Sequence, residues 1–406
     1  MRLEEISIHE FYDIVEEQIE FGDVRPILAL GPAGIGKTEG IEALCERLNI
    51  GYKECRLITM SETDLMGVPH VIEVETSSGP KKKTAWAPND GELFPDPDRD
   101  PEVGVLVLDE ITSAQPNVRG AALQLLDKKR SINGVYKLPA KWLVVAMGND
   151  EGDGGVYNGL EGVVINRCLC LRPTSNLDDW KKWAYENDVN TSVLAFVTSR
   201  PDFLHMYKDE EELECFPSPR SWTDLSRKLN DRERKKGGIL DDRVVRVFAS
   251  GTVGPKVAPE FAAFYKLNNE LLNVSNIIDG KWGKKERTIL DASSPNAEGV
   301  AFLTIQSLMN TLKIVIDKDK SKYGGNGDSI GGFSKEAYKK VGLACKWVVE
   351  QNTKYGMNLD TAVMFFQDIM NVVPDFTVFL FDDQFDKDYP EVIAFATDNS
   401  NIFSND

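Results

Sequence analysis

The stretch Pro26-Ile27-Leu28-Ala29-Leu30-Gly31-Pro32-Ala33-Gly34-Ile35-Gly36-Lys37-Thr38 decides the fold of this protein. Its first five residues form an apolar run that suits a buried strand, and residues 38–48 show the apolar spacing of a helix. The eight residues from Gly31 to Thr38 match Gly-x4-Gly-Lys-Ser/Thr in full. Glycines in this pattern let the backbone aim its N–H groups at phosphate oxygens, and the helix N-terminus favours the same anion. The stretch therefore predicts a phosphate-binding loop between a strand and a helix.

Each position of this loop has a predicted contact with ATP and Mg²⁺. Lys37 places a positive charge between the β- and γ-phosphates, and the Thr38 hydroxyl binds Mg²⁺. The backbone around the phosphates comes from Gly31, Pro32, Ala33, Gly34, Ile35 and Gly36.

A second apolar run ends in two acids, Val105-Leu106-Val107-Leu108-Asp109-Glu110. Such a run is typical of a strand buried on both faces, and ligands of α/β proteins bind at the carboxyl ends of these strands. We expect Asp109 to hold Mg²⁺ through water and Glu110 to polarise the water that attacks the γ-phosphate. Together with the loop, the acid pair predicts ATP hydrolysis.

A third apolar run, Trp142 to Met147, is followed by Gly148 and Asn149. Asn149 is expected to hydrogen-bond the attacking water or the γ-phosphate from the side opposite Glu110. The alternative is an asparagine that serves only in a turn.

Strand-like and helical segments alternate over the first part of the chain, and this alternation predicts a three-layer αβα domain with a parallel sheet. Further elements expected there are a lead-in helix over residues 1–25, a strand at Arg56–Met60 and a helix at Asn117–Leu126. The predicted organisation is a P-loop ATPase core over 1–172, a helical lid over 173–255 and a mostly helical region over 256–406. In the last region the helix candidates are Phe261–Leu272, Ala301–Ile316, Lys335–Glu350 and Leu359–Asn371, with a mobile glycine-rich loop near 324–332.

Composition restricts the possible partners. The formal net charge of −18 argues against a surface adapted to nucleic acid, although it says nothing about how the charge is distributed. The N-terminus lacks the basic and then apolar layout of a secretion signal, and no continuous apolar run has the length of a membrane span. We therefore expect a cytoplasmic protein without a membrane segment. Its six cysteines lack zinc-ligand spacing, so reduced, buried thiols are expected there and not a metal site.

The ordered series of motifs resembles AAA+ ATPases of the MoxR-like group. The resemblance covers about residues 25–265 and runs through Leu108 to Ala114, Ala121 to Leu126 with Arg130, the Asn149 strand end, Asn166-Arg167-Cys168, and Ser218-Pro219-Arg220-Ser221-Trp222. It implies a homo-oligomer, a hexameric ring with ATP between neighbouring subunits. Residues 256–406 lie almost entirely outside it.

Two arginines receive roles from this resemblance. Arg167 stands where an arginine finger reaches the γ-phosphate of the next subunit, and Arg220 stands where a lid arginine contacts the nucleotide. For both, an ion pair within the subunit is the alternative. Arg119 and Arg130 are alternative fingers, and Cys168 and Arg119 depart from the residues usual in the family.

The resemblance also implies two insertions, at Lys82–Asp100 and at Ser131–Leu138. The second contains Asn133-Gly134, a hairpin signal. Both are candidates for substrate contact in a ring pore, with plain surface loops as the alternative.

Three functions remain open from the sequence. The first is a ring ATPase that remodels a protein client, with a von Willebrand factor A domain protein as a candidate partner. The second is a nucleic-acid motor or loader, and the third is a nucleotide-gated structural subunit.

Overall fold

The structure is a computed structural model of the chain. It describes residues 3–77, 79–87, 93–134, 136–150, 165–207, 215–267, 273–282, 297–323, 334–373, 376, 380 and 383–399. These residues form two compact units. The first consists of residues up to 179 together with 205–207 and 218–220, and the second contains 180–204, 215–217 and the residues from 221 onward. The predicted glycine-rich loop near 324–332 lies outside the described residues.

The first unit is built on a six-stranded parallel sheet with the order β1-β10-β2-β9-β6-β3. Numbered in chain order, the described strands are β1 (Glu5–Ser7), β2 (Ile27–Leu30), β3 (Gly51–Arg56), β4 (Val68–Thr76), β5 (Gly79–Ala87), β6 (Val103–Asp109), β7 (Ser131–Ile132), β8 (Tyr136–Lys137), β9 (Lys141–Gly148) and β10 (Leu169–Thr174). Most strands of this sheet that are successive in the chain are not neighbours in the sheet. The connections between them therefore pass over a face of the sheet, and the helices in these connections cover that face. The predicted parallel-sheet core is confirmed.

Two hydrophobic layers cover the two faces of this sheet, because alternate residues of each central strand point to opposite sides. On one face Ile27 and Ala29 of β2 pack with helices α1 (Ile8–Phe21) and α2 (Lys37–Leu48). On the other face Leu28 and Leu30 pack with the segment around α4 (Pro116–Ala122) and with Leu65 of α3 (Glu62–Met66). The predicted three-layer arrangement is therefore present.

The lead-in helix starts later than predicted. Residues Glu5–Ser7 pair with Arg172–Thr174 as the edge strand β1, and the helix begins at Ile8. The Ser7 hydroxyl accepts from the Glu10 N–H while Glu10 accepts from the Ser7 N–H, a capping box that fixes this start. Gly22 ends the helix in the left-handed conformation, with φ 66°.

The predicted strand at Arg56–Met60 is wrong in position. The strand is β3, Gly51–Arg56, and residues Leu57–Thr59 form a 3₁₀ turn after it. Since β3 is an edge strand, it carries Tyr52, Lys53 and Glu54, which are only partly buried. It therefore lacks the apolar run from which the central strands were identified.

Two hairpins project from the connections. The β7–β8 hairpin turns at Asn133 and Gly134, both with positive φ, and confirms the Asn-Gly prediction. The β4–β5 hairpin was not predicted, and it takes the first residues of the expected 82–100 insertion. Later in that insertion Phe94 is buried and stacks on Tyr136, so it belongs to the core.

The regular elements that the structure describes in the second unit are helices. Its described helices are α5 (Leu177–Glu186, which starts in the first unit), α6 (Thr191–Ser199), α7 (Pro219–Lys236, likewise), α8 (Asp242–Thr252), α9 (Ala258–Tyr265), α10 (Val274–Ile278), α11 (Ala297–Tyr323), α12 (Lys335–Tyr355), α13 (Leu359–Val372), α14 (Asp383–Asp388) and α15 (Pro390–Asp398). Aromatic rings of Phe196, Trp222 and Phe261 pack together at its centre. The predicted mostly helical C-terminal region is confirmed.

One helix among the described residues is long and apolar enough, by length and composition alone, to cross a membrane. The stretch Ala297–Asp319 of α11 has 23 residues, and 56% of its most apolar part is buried inside the protein. Its buried face also carries Thr304 and Gln306, and Gln306 hydrogen-bonds Tyr185 of α5. These contacts fit a core helix.

Candidate functional site

The predicted phosphate-binding loop connects β2 with the N-terminus of α2. Gly34 and Gly36 have φ of 75° and 101°, a conformation that favours glycine. A side chain at Gly31 would lie 2.2 Å from the carbonyl oxygen of Pro173, and one at Gly34 would lie 2.9 Å from Ser218 Oγ. Backbone conformation thus requires glycine at positions 34 and 36, and the close approach of neighbouring atoms requires it at positions 31 and 34.

Lys37 lies over the loop with its side chain buried. Its ammonium donates to the carbonyl oxygens of Gly31, at 2.7 Å, and Pro32, at 2.8 Å. A buried ammonium needs oxygen partners, and phosphate oxygens are stronger acceptors than carbonyls. The side chain is therefore placed and desolvated for an anion held by this loop.

The next residue reaches the acid pair. The Thr38 hydroxyl donates to Asp109 Oδ2 at 3.2 Å, although the two residues are 71 positions apart. Burial, and then repulsion from Glu110, raises the pKa of Asp109 above its ordinary value. A carboxylate destabilised in this way, next to a hydroxyl, suits a bound divalent cation, which would relieve both effects.

Glu110 has an unusual backbone, with φ 57° in the left-handed region. The Asp109 carboxylate accepts from the Glu110 N–H at 2.9 Å, and the Ser113 hydroxyl donates to Glu110 Oε2 at 3.1 Å. The strained turn and the serine together fix the direction of this carboxylate just beyond the end of β6.

Asn149 follows β9 directly and is buried. Its N–H donates to Thr112 Oγ1 at 3.2 Å, and the carbonyl of the preceding Gly148 accepts from the Gly31 N–H at 3.2 Å. The Asn149 position is thus tied both to the segment after the acid pair and to the phosphate-binding loop.

Sheet order explains why these groups meet. Strands β6, β9 and β2 are adjacent, and the acid pair, Asn149 and the loop follow their carboxyl ends. Parallel strands deliver these ends to one edge of the sheet. The sequence-predicted groups therefore share one edge.

Arg220 lies at the same loop. Its N–H donates to the Gly34 carbonyl at 3.0 Å, and its guanidinium pairs with Glu39 at 2.8 Å on the first turn of α2. Burial opposes ionisation of Glu39, yet its backbone hydrogen bond and Arg220 together hold its pKa below the ordinary value. The alternative of an ion pair within the chain is thus observed, and the pair is more than half exposed.

The three candidate finger arginines have different surroundings. Arg167 precedes β10, whose first residue pairs with the first residue of β2, so it lies at the sheet edge opposite the loop. It makes one exposed ion pair with Asp127 at 3.6 Å. Arg130 donates to the carbonyls of Ala140 and Trp142 and so holds the chain at the start of β9. Arg119, on α4, is partly buried.

Two residues at the loop were not predicted. The Tyr12 hydroxyl donates to the Gly36 carbonyl at 3.0 Å, and His205 Nε2 lies 3.0 Å from the Ala33 carbonyl. Both partners are main-chain atoms, so no motif in the sequence indicates them. The sequence predicts a lead-in helix over this part of the chain but gives Tyr12 no role.

These residues fit ATP and Mg²⁺. A glycine cradle, a buried ammonium and the Thr38–Asp109 oxygen pair match the donors and acceptors that a magnesium triphosphate requires. Among the described residues no group of three or more His, Cys, Asp or Glu side chains is arranged to hold a metal ion by itself.

Comparison with known protein families gives a match to part of the chain. A family model described as AAA domain (dynein-related subfamily) matches residues 26–160. A search of curated proteins found no match.

Solved structures share only a distant likeness. A proposed ATPase from Cytophaga hutchinsonii is 14% identical, with a TM-score of 0.30, over 68% of this chain and 89% of that one. The Holliday junction branch migration motor RuvB of Thermotoga maritima is 12% identical, with a TM-score of 0.35, over 82% and 87%. A mutant of the same RuvB is 14% identical, with a TM-score of 0.35, over 83% and 91%. Likeness at this level carries no functional argument. The family match covers the loop, the acid pair and Asn149, and residues 26–160 are therefore similar to the AAA domain of the dynein-related subfamily.

Proposed function

We propose that this protein is an ATP-hydrolysing AAA+ ATPase of the MoxR-like type, which works as a hexameric ring in the cytoplasm and remodels or assembles a protein partner. The observation that carries the hydrolysis is the 3.2 Å contact between Thr38 and Asp109, which joins the phosphate-binding loop to the acid pair. The ring is supported only by the resemblance of the motif series, and the protein partner by that resemblance and by the net charge of −18.

In the proposed reaction the loop binds the triphosphate of ATP. Its N–H groups and Lys37 stabilise the negative charge of the β- and γ-phosphates, and the Lys37 ammonium is already held at the loop by the Gly31 carbonyl. Thr38 and Asp109 would hold Mg²⁺, which supplies electrostatic stabilisation of the charge that develops on the phosphate oxygens.

Glu110 positions the attacking water. Its carboxylate has one oxygen hydrogen-bonded to Ser113, and this bond aims the group. The water attacks the γ-phosphorus, the bond to the β,γ-bridging oxygen breaks, and the water proton passes to the Glu110 carboxylate. Asn149 holds the water or the γ-phosphate from the neighbouring strand end.

Arg167 is proposed as the residue that acts on the next subunit. Its place at the opposite sheet edge separates it from the loop of its own chain by the length of β2, about 10 Å for four residues. Its ion pair with Asp127 is long and exposed, so leaving it costs under about 1 kcal/mol. Arg130 suits this role less, because its guanidinium already holds two backbone carbonyls.

The client is proposed to be a protein, with a von Willebrand factor A domain protein as a candidate. The net charge of −18 disfavours a polyanion. A nucleic-acid motor remains the second candidate because Lys81, Lys82 and Lys83 are exposed together on β5. Binding of nucleic acid through these lysines would weaken steeply with salt.

A trap experiment tests the proposal. Glu110→Gln should retain ATP binding, lose turnover and hold the client in a pull-down with ATP and Mg²⁺, whereas Lys37→Ala should bind neither ATP nor client. A structural subunit would show no effect of Glu110→Gln. A contrary result is a wild type that binds DNA or RNA in low salt and loses this binding when the three lysines are changed to Ala. That result would show that the client is a nucleic acid and not a protein.

A further inference from the structure

The carbonyl groups of the phosphate-binding loop have donors from outside the loop. The Gly36 carbonyl accepts from the Tyr12 hydroxyl, the Ala33 carbonyl faces His205 Nε2, and the Gly34 carbonyl accepts from the Arg220 N–H. A carbonyl can only accept, so Nε2 of His205 carries the hydrogen in its bond. Three separate segments thus hold successive parts of one loop.

A hydrogen bond that holds a carbonyl also orients the N–H of the next residue, because both belong to one planar peptide group. In a trans peptide the carbonyl of one residue and the N–H of the next point in opposite directions, and the described chain has no cis peptide. The Gly36 carbonyl also accepts from the Gly40 N–H at 2.9 Å, and the Tyr12 hydroxyl adds a second bond to it from outside α2. Together these two bonds fix the Lys37 N–H, and the bond from His205 to the Ala33 carbonyl fixes the Gly34 N–H. N–H groups of such a loop are expected to point at phosphate oxygens.

Packing holds Tyr12 in this place. Its ring lies directly on Gly40 of α2, where an added Cβ would lie 2.0 Å from Cζ and 2.1 Å from the hydroxyl oxygen. Burial, and then the charge of Glu39, raises the pKa of Tyr12, so the hydroxyl keeps the proton that it donates. Gly40 thus makes room for a donor that the loop needs.

We propose that Tyr12 and His205 are positioning residues that preorganise the phosphate-binding loop for nucleotide, by holding the Gly36 and Ala33 carbonyls from outside. This inference rests on the proposed function, because it concerns the affinity of the same site for ATP. Neither side chain reacts. Each acts through the main chain of the loop.

The first test uses two changes on the Tyr12 side. Tyr12→Phe keeps the ring and removes the donor, and Gly40→Ala keeps the donor and displaces the ring. One hydrogen bond corresponds to about a 3- to 10-fold change in affinity. Each variant should therefore weaken binding of a fluorescent ATP analogue with Mg²⁺ by about that factor. In steady state KM should rise while kcat stays within about twofold, because Glu110 and Asn149 are not touched.

The chain offers a matched control far along the sequence. The Tyr389 hydroxyl donates to the Lys339 carbonyl at 3.3 Å, and its ring lies on Gly342, where a Cβ would approach to 2.1 Å. Tyr389→Phe and Gly342→Ala therefore remove the same kind of bond and packing in the second unit. They should cost similar folding stability and leave the ATP affinity unchanged.

The second test uses rescue at His205. His205→Ala should weaken binding of the ATP analogue about 3- to 10-fold, and His205→Gln, which retains an N–H donor, should recover part of this affinity. His70→Ala, on the exposed β4–β5 hairpin, is the control and should have no effect.

The outcomes separate this inference from the proposed function. If Lys37→Ala abolishes binding while Tyr12→Phe and His205→Ala bind as the wild type does, the positioning role is refuted and the ATP site stands. Equal losses in the Tyr12 and Tyr389 variants, or a fall of kcat without change of KM, would also refute it. If Lys37→Ala retains the wild-type affinity, the ATP site itself is refuted.

Discussion

A buried ion pair joins a helix of the predicted lid to the C-terminal helices. Asp368 of α13 is 1% exposed and pairs with the ammonium of Lys181 on α5, which is also buried. Its carboxylate also lies 2.8 Å from the Tyr185 hydroxyl and 3.3 Å from the Gln306 amide nitrogen. The network joins residues that the sequence assigned to two different regions, so its loss should destabilise both.

The expected loss in the free energy of unfolding follows from the buried charge that Asp368→Ala leaves without a partner. The ammonium of Lys181 would stay buried without its counter-charge, and breaking one side of a buried pair costs about 3–5 kcal/mol. Asp224→Ala, in the exposed pair with Arg227, is the control and should cost less than about 1 kcal/mol. Lys181→Met combined with Asp368→Leu should recover part of the loss, because no charge then remains buried.

Urea unfolding followed by far-UV circular dichroism and tryptophan fluorescence measures these values. Because the chain has two compact units, two unfolding transitions are expected. Asp368→Ala should lower the stability in the transition of the second unit, which is the transition that Lys37→Ala leaves unchanged. A cost below about 1 kcal/mol, equal to that of Asp224→Ala, would refute the argument from burial.

Two further predictions concern stability. Burial and Glu110 raise the pKa of Asp109, so the folded protein holds its proton more tightly than the unfolded chain, and ionising Asp109 costs stability as the pH rises through the folded pKa. Asp109→Asn should therefore raise the Tm of the nucleotide-free protein at pH 7 and lose that gain as the pH falls, while Mg²⁺-dependent hydrolysis disappears; an unchanged Tm at pH 7 would count against the burial argument. Gly254→Ala should cost about 1–3 kcal/mol of unfolding free energy, because Gly254 has φ 96° and a Cβ there would lie 2.1 Å from the Cys215 carbonyl oxygen. Gly251→Ala, which meets open space, should be neutral or slightly stabilising, and equal costs at the two glycines would contradict the steric reasoning.

The central strands and their polar ends could be predicted because both depend on local pattern. β2, β6 and β9 are buried on both faces, so their apolar runs stand out, and the residues that follow them lie at one edge of a parallel sheet. The sequence alone therefore predicts that Lys37, Asp109 and Asn149 lie near one another. Their roles in catalysis remain predictions.

Elements without this pattern were missed or misplaced. Edge strand β3 carries partly exposed polar residues, and the β4–β5 hairpin has mostly exposed residues on both strands, so neither shows a buried stripe. The donors Tyr12 and His205 lie 24 and 172 residues from the carbonyls that they reach. Contacts to main-chain atoms over such separations depend on the tertiary fold, and spacing along the chain does not encode them.

The most direct measurement is a crystal structure with a nonhydrolysable ATP analogue and Mg²⁺. The account predicts the triphosphate inside the loop of residues 31–36, with Lys37 Nζ moved from the Gly31 and Pro32 carbonyls to phosphate oxygens. It also predicts Mg²⁺ bound to Thr38 Oγ1, with Asp109 in contact through water. A nucleotide bound elsewhere, or a loop that stays empty at saturating analogue with Lys37 still on its two carbonyls, would contradict it.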